Sequence, residues 1–102
     1  MVMVAGSGNR RAQVIFVVDT PSAYDEKHGE LLSPESKVGK IFHKLLGETP
    51  NTRADVYITA LCKVRNANGR VSKKDLAFWA DDFKAELDSI VPQVVVAIRL
   101  TT

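Results

Sequence analysis

The sequence contains one cysteine, Cys62, among its 102 residues. A single thiol excludes an internal disulfide and any metal centre built from several cysteines of this chain. No apolar run approaches the roughly 20 residues that cross a bilayer. The apolar opening Met1–Ala5 is too short for a secretory signal. These absences predict a soluble, cytoplasmic protein with no cofactor and no membrane contact.

The sequence also has no large excess of positive or negative charge. Fourteen Lys and Arg face 12 Asp and Glu, which gives a net charge of +2 and a pI near 8.8. This balance permits contact with nucleic acid but falls short of the basic patch typical of a dedicated phosphate binder. The sequence has no internal repeat, and 45% hydrophobic with 25% charged residues is ordinary for one globular domain.

Strand and helix patterns alternate along the chain. Short β-branched runs predict strands, and apolar residues at helical spacing predict helices. The strands are expected at 13–19, 55–61 and 93–98, and the helices at 37–47 and from Ser72 to Ile90. We therefore predict an α/β fold, a small three-layer α/β/α domain with a mostly parallel sheet of about three strands in the order βαβαβ. Residues 1–12 are expected to form a flexible basic arm before a domain spanning 13–102.

The connections between these elements are also predicted from composition. Residues 20–36 read as one long polar loop, which in a compact domain is usually a binding loop. Asn66, Asn68 and Gly69 indicate a turn.

In open α/β sheets ligands bind beyond the carboxyl ends of the strands. Asp19 ends the first strand and could orient or activate water; the alternative is a solvated or capping aspartate. A group of basic side chains lies on the same rim and could bind phosphate oxygens. The alternative is a solvated charged loop. The group comprises Lys63 and Arg65 after the second strand and Arg70, Lys73 and Lys74 near the start of the second helix, and Arg99 follows the third strand on the same rim. The strand-one turn has no Gly-rich phosphate loop, which disfavours a nucleotide-binding or signalling domain.

Three motifs follow one another along the chain. They are Val18-Asp19-Thr20-Pro21-Ser22-Ala23, then Asp55-Val56-Tyr57-Ile58-Thr59 with Lys63-Val64-Arg65, and Ile90-Val91-Pro92-Gln93-Val94-Val95-Val96-Ala97. In this order they resemble the uracil-DNA glycosylase superfamily. The family's counterparts are Gly-Glu-Ala-Pro-Gly, Asp-Val-Tyr-Ile-Thr-Asn with Lys-Cys-Arg-Pro, and Ile-Lys-Pro-Lys-Val-Ile-Val-Ala-Leu-Gly. The resemblance is closest to bacterial and archaeal iron-sulfur members and phage polymerase-related proteins, and it covers the first half of the family's length.

The resemblance implies site residues. Asp19 corresponds to the water-positioning acid with a shorter side chain, and the pocket-forming stretch implies Pro21, Ser22, Tyr24 and Gly29 as substrate or DNA contacts. Several positions depart from the family. Val18, Ser22 and Arg99 replace glycines, Ala60 replaces an asparagine, and Val64 and Ala80 stand where two cluster cysteines would be.

These departures predict a truncated, phage-encoded glycosylase-like protein. We expect it to be catalytically inactive, because half a pocket should excise bases poorly. It would bind DNA or a host protein and form a homo-oligomer through an open sheet edge or a helix face. The alternative is an active uracil-DNA glycosylase whose pocket is completed by a dimer or partner, with Asp19 activating water. The two hypotheses differ in whether the chain is an enzyme.

Overall fold

A computed structural model describes residues 2–66 and 70–98 of the chain. The described ranges contain four strands and three α-helices. In chain order they are β1 (Ser7–Gly8), β2 (Val14–Val18), α1 (Ala23–His28), α2 (Lys37–Leu46), β3 (Tyr57–Ala60), α3 (Lys73–Ile90) and β4 (Val94–Ile98). A 3-10 turn, Arg53–Asp55, precedes β3. Asn68 and Gly69 of the predicted turn and Arg99 of the predicted basic rim lie outside the described residues.

The strands form one four-stranded sheet in the order β1-β3-β2-β4. Strand β2 pairs in parallel with both β3 and β4, and Val18 lies opposite Ala60 on one side and Ile98 on the other. Strand β1 is antiparallel to β3. The predicted α/β fold with a mostly parallel sheet is confirmed, with one short strand added.

The added strand lies in the segment expected to be a flexible arm. Ser7 and Gly8 pair with Ile58 and Tyr57, and the Val4 side chain is 1% exposed. Among the described residues 2–12, the expectation of an unstructured arm is therefore corrected. The reason is that Val4 and Ala12 supply apolar groups to the core. The surrounding Gly, Ser, Asn and Arg residues are typical of a solvated segment, so composition alone did not predict this burial.

Alternate side chains of β2 face opposite sides of the sheet, as its pleat requires. Phe16 and Val18 pack with Phe42 and Leu46 of α2 in one core cluster. On the opposite face Ile15 and Val17 join a second cluster that contains Ile90 of α3. The helices thus cover both faces of the sheet, which is the three-layer arrangement predicted.

The expected long loop 20–36 contains a helix, α1. Ser22 caps its N-terminus: the Ser22 hydroxyl accepts from the Asp25 amide, and the Asp25 carboxylate accepts from the Ser22 amide. The same Ser-x-x-Asp pattern begins α3 at Ser72, where it also forms a capping box. The helix was missed because its six residues carry too little apolar periodicity to be seen.

Strand β4 was expected to be buried, and this is wrong for the described chain. Val94 and Val95, which point to opposite faces, are 50% and 49% exposed. The strand has one neighbour, β2, so it stands at a sheet edge. Of the apolar stripe predicted on α3, Ile90 is buried, whereas Leu76 is exposed. None of the helices in the described ranges is long and apolar enough to cross a membrane.

Candidate functional site

A pocket of about 590 Å³ opens at the carboxyl ends of β2 and β4. Its size is within the range of small-molecule sites. Val18 and Ile98, paired at the ends of their strands, lie at its base. Further lining residues come from the turn after β2, from α1, from the start of α2 and from the segment before α3, and include Asp19, Thr20, Tyr24, Leu32, Lys37 and Arg70. The pocket is where the strand-end rule places a ligand.

Asp19 is the first residue after β2 and is half-buried in the pocket lining. Its carbonyl oxygen accepts from the Cys62 amide at 3.0 Å, which fixes its backbone against the turn after β3. No side chain or amide within residues 2–66 and 70–98 donates to its carboxylate. The carboxylate therefore has lone pairs available in the pocket, and it can accept a proton or a hydrogen bond from water or a bound ligand.

Two helices begin beside this carboxylate. Ser22 caps α1, and Ser36 caps α2 by accepting from the Gly39 amide at 2.9 Å. Both caps line the pocket, as does Lys37 in the first turn of α2. Helix N-termini carry partial positive charge, and Lys37 is exposed at the rim. The rim therefore favours an anionic group close to the pocket.

The resemblance placed Pro21, Ser22, Tyr24 and Gly29 at the site, and the structure separates their positions. Tyr24 is half-exposed and lines the pocket together with Ser22. Pro21 is fully buried behind them. Gly29 ends α1 with φ 69°, and its position there is that of a C-cap. Ser22 and Tyr24 are thus the members of this set that a ligand in the pocket can touch.

The predicted basic rim is only partly assembled. Arg70 lines the pocket, but Lys63, Arg65 and Lys73 do not. Lys73 is exposed at the first turn of α3, and Arg65 is half-buried after the turn that follows β3. Lys63 was expected on the surface and is 5% exposed, so this expectation is corrected. Its ammonium donates to the Ala60 carbonyl at 2.7 Å and to Glu86 at 2.9 Å.

Lys63 belongs to a buried polar network under α3. The Glu86 carboxylate also accepts from the Tyr57 hydroxyl at 2.6 Å and from the Thr59 hydroxyl at 2.8 Å. Arg10 reaches the same place, lying 3.5 Å from the Tyr57 hydroxyl and donating to Ser89 at 2.7 Å. The network ties β3, α3 and the N-terminal segment together, and its buried charges are paired.

Three pKa values reflect these surroundings. Burial alone would raise the pKa of Glu86, but hydrogen bonds from Tyr57, Lys63 and Thr59 and the charge of Lys63 hold it below the ordinary value of 4.5. Burial and the neighbouring Glu86 raise the pKa of Tyr57 to about 12. Burial also raises the pKa of the Cys62 thiol. Cys62 is therefore protonated at neutral pH and is a poor nucleophile.

Sequence reasoning missed several residues of the pocket, namely Leu32, Lys37 and Val71. Leu32 lies in the segment before α2 with φ 51°. No sequence pattern predicts this left-handed conformation for a leucine. Lys37 could have been found, because Ser36 is a recognisable N-cap and the residue after it begins a helix whose N-terminus faces the strand ends.

Comparisons with known proteins indicate the family of this chain. The model of the uracil DNA glycosylase superfamily matches residues 5–100. The type-4 uracil-DNA glycosylase of Archaeoglobus fulgidus is 30% identical over 96 residues, which is 93% of this chain and 47% of that protein. That of Thermotoga maritima is 30% identical over 97% of this chain and 51% of its own length. The Saccharolobus solfataricus protein is 27% identical over 93% of this chain and 44% of its own length.

The chain thus spans about half the length of the curated relatives it matches. The iron-sulfur cluster that the resemblance implied does not fit the residues present, since Cys62 is the sole cysteine and it lies buried in the turn after β3. The match of the family model to nearly the whole chain nevertheless decides its family. The chain belongs to the uracil-DNA glycosylase superfamily.

Proposed function

We propose that this chain is a uracil-DNA-glycosylase-like module that binds DNA at the Asp19 pocket and does not excise uracil by itself. The observation that carries the proposal is the position of Asp19, whose carboxylate lines a pocket of about 590 Å³ at the carboxyl end of β2. A flipped nucleobase needs a pocket of this kind, with polar groups for its edge and an apolar surface for its faces. Val18, Leu32 and Ile98 supply apolar surface beside the carboxylate.

Two cationic side chains of the pocket support DNA as the ligand, although the aspartates Asp19 and Asp25 also line it. Lys37 is exposed beside the pocket, and Arg70 lines it from the other side. The N-terminus of α2 adds partial positive charge there. Phosphate groups on either side of an extruded base would be attracted to these groups. The Tyr24 side chain is half-exposed, and its ring offers a surface on which a further base can stack.

The openness of the pocket supports the proposed lack of excision. Excision requires a base enclosed and shielded from water, with groups fixed around the developing charge. Here Tyr24 and Lys37 are exposed at the rim, and β4, whose Ile98 lies at the pocket's base, has half-exposed valines on both faces. The Asp19 carboxylate receives no hydrogen bond in the described part of the chain, so nothing fixes its orientation toward a water.

A second candidate function is supported by the same strand. The unpaired edge of β4 can accept a further strand from a second copy or from a partner protein. Such a strand would cover Val94 or Val95 and extend the wall beyond Ile98. In that assembly Asp19 would activate water and the complex would be an active glycosylase. The expected phage origin stays a prediction, as does a host-protein partner.

The test of DNA binding uses fluorescence anisotropy with a labelled single-stranded oligonucleotide that carries one uracil. Lys37→Gln should weaken binding several-fold and reduce the salt dependence of the association constant by roughly one ion. The matched control is Lys84→Gln, an exposed lysine on α3 at the opposite face of the sheet. Equal binding by both variants and the parent would place the DNA elsewhere. No binding by the parent would contradict the proposal.

A further inference from the structure

Leu32 combines a strained backbone with a place in the pocket. Its φ of 51° lies in the left-handed region, which a branched, bulky residue rarely adopts. Its side chain is 3% exposed and lines the pocket beside Asp19. Backbone conformations of this kind persist only where the surroundings fix them from several sides. The question is which groups hold Leu32 in place.

The carbonyl groups around Leu32 are held by Arg53. Its guanidinium donates to the Leu31 carbonyl through one terminal nitrogen and to the Leu32 carbonyl, at 3.1 Å, through the other. The remaining nitrogen, Nε, is 2.7 Å from Glu30. His43 Nε2 lies 3.1 Å from Arg53 and 3.2 Å from the Leu32 carbonyl, so it can accept from the first or donate to the second. The planar guanidinium holds its N–H donors in a fixed arrangement, which allows it to bind two adjacent carbonyl oxygens at once.

The next residue, Ser33, is fixed by other groups. Its amide donates to the buried Asp25 carboxylate at 2.9 Å, and its carbonyl oxygen accepts from the Ser36 hydroxyl at 2.9 Å. Gly39 lets α2 come close at this point, since a Cβ there would overlap the Ser33 carbonyl. Successive backbone groups from Leu31 to Ser33 are thus bound by separate partners. Of these partners, Arg53 alone contacts both the Leu31 and the Leu32 carbonyl, which flank the Leu32 Cα.

We infer that Arg53 is a positioning residue of the Asp19 pocket, which holds Leu32 in its left-handed conformation and so keeps the Leu32 side chain in the pocket wall. Arg53 does not line the pocket itself, so it acts through Leu32. Without the guanidinium, Leu32 would relax toward an ordinary conformation, and its side chain would leave the wall in most molecules. The effect on ligands rests on the function proposed above, but the effect on Leu32 does not.

The experiment measures Leu32 directly and binding separately. Backbone chemical shifts of Leu32, by NMR on isotope-labelled protein, report the sign of φ in the parent, in Arg53→Gln and in the control Arg11→Gln, an exposed arginine. We expect the left-handed shifts in the parent and control, and their loss in Arg53→Gln. Affinity for the uracil-containing single strand should fall on the order of tenfold in Arg53→Gln alone, because only the fraction with Leu32 in place binds.

A general loss of stability is separated by Ile90→Ala, which opens a cavity in the core cluster on the other face of the sheet. It should lower the melting temperature while leaving the Leu32 shifts unchanged. If Arg53→Gln does not fold, Arg53→Lys decides the matter: it keeps a charge near Glu30 but loses the fork, and Leu32 should lose its left-handed shifts in part. Unchanged Leu32 shifts in the folded variant would overturn the inference. Absence of DNA binding in the parent would contradict only the proposed function.

Discussion

The ammonium of Lys63 lies 2.9 Å from the Glu86 carboxylate in the space between the sheet and α3. Their side chains are 6% and 12% exposed. Lysine and glutamate are rarely buried unless they are paired. The pair therefore joins β3 to a helix that has few other buried side chains, since Ile90 is its one fully buried residue.

Removing one partner should destabilise the fold. Lys63→Met keeps the side-chain length but leaves Glu86 with a buried charge that has lost its cation, and loss of one member of such a pair costs about 3–5 kcal/mol. Urea unfolding measures the change in the free energy of unfolding. Lys84→Met, on the exposed face of α3, is the control and should change it by less than about 0.5 kcal/mol. Equal stability of the two variants would show that the pair is not a structural link.

Acid should weaken the same link. The pKa of Glu86 is lower in the folded chain than the ordinary 4.5, so the folded state favours the carboxylate. Its stabilising contribution is complete above that ordinary value and is lost as the pH falls through the lower folded pKa. The free energy of unfolding of the parent should therefore decline more steeply between about pH 5 and pH 2 than that of Glu86→Gln. A parallel decline in both proteins would contradict the pKa argument.

Close packing of α2 against the pocket wall depends on Gly39. A side chain there would overlap the Ser33 carbonyl oxygen, so Gly39→Ala should cost about 1–3 kcal/mol through overpacking. Gly47→Ala is the matched control, because Gly47 has an ordinary helical φ of −65° and its added Cβ would meet no atom closer than 3.3 Å. Thermal unfolding compares the two. A Gly39→Ala protein as stable as the parent would mean that the helix can move away freely.

The β4 edge gives a prediction about association. Val94–Ile98 carries no charge or proline, the features that usually protect an edge strand from pairing. We expect concentration-dependent self-association of the parent, measured by light scattering, and its loss in Val95→Lys. Since Val95 is 49% exposed, the melting temperature of the variant should stay within a few degrees of the parent. Phe78→Lys, an exposed apolar position on α3, should still associate. A monomeric parent at high concentration would contradict this prediction.

Strand and helix patterns predicted the central architecture because β2 and α2 follow simple periodicities. Val14–Val18 is a continuous apolar run, and Lys37–Leu46 has apolar residues at helical spacing before a glycine. Asp19 was found because it follows a buried strand, and strand ends gather on one rim. These features depend on residues that are close together in the chain, so local sequence patterns predict them.

The remaining features depend on contacts between distant residues. Lys63 can be buried because its ammonium pairs with Glu86 of α3, which is 23 positions away along the chain. Leu32 is left-handed because Arg53 binds its carbonyl from 21 positions away. The N-terminal segment pairs with β3 although its composition is typical of a solvated tail. Such pairings follow from the fold, and no local pattern in the sequence records them.

The most direct test combines binding and excision in one set of samples. Purified protein is incubated with single- and double-stranded DNA carrying one uracil, and the gel is scored for retarded complex and for alkali-labile strand cleavage. Asp19→Asn and the exposed control Asp88→Asn are run beside the parent. We predict retarded complex without cleavage above the no-protein control, and weaker complex for Asp19→Asn alone. Cleavage by the parent that Asp19→Asn abolishes would contradict the claim that this chain does not excise uracil, and would identify Asp19 as the residue that activates water.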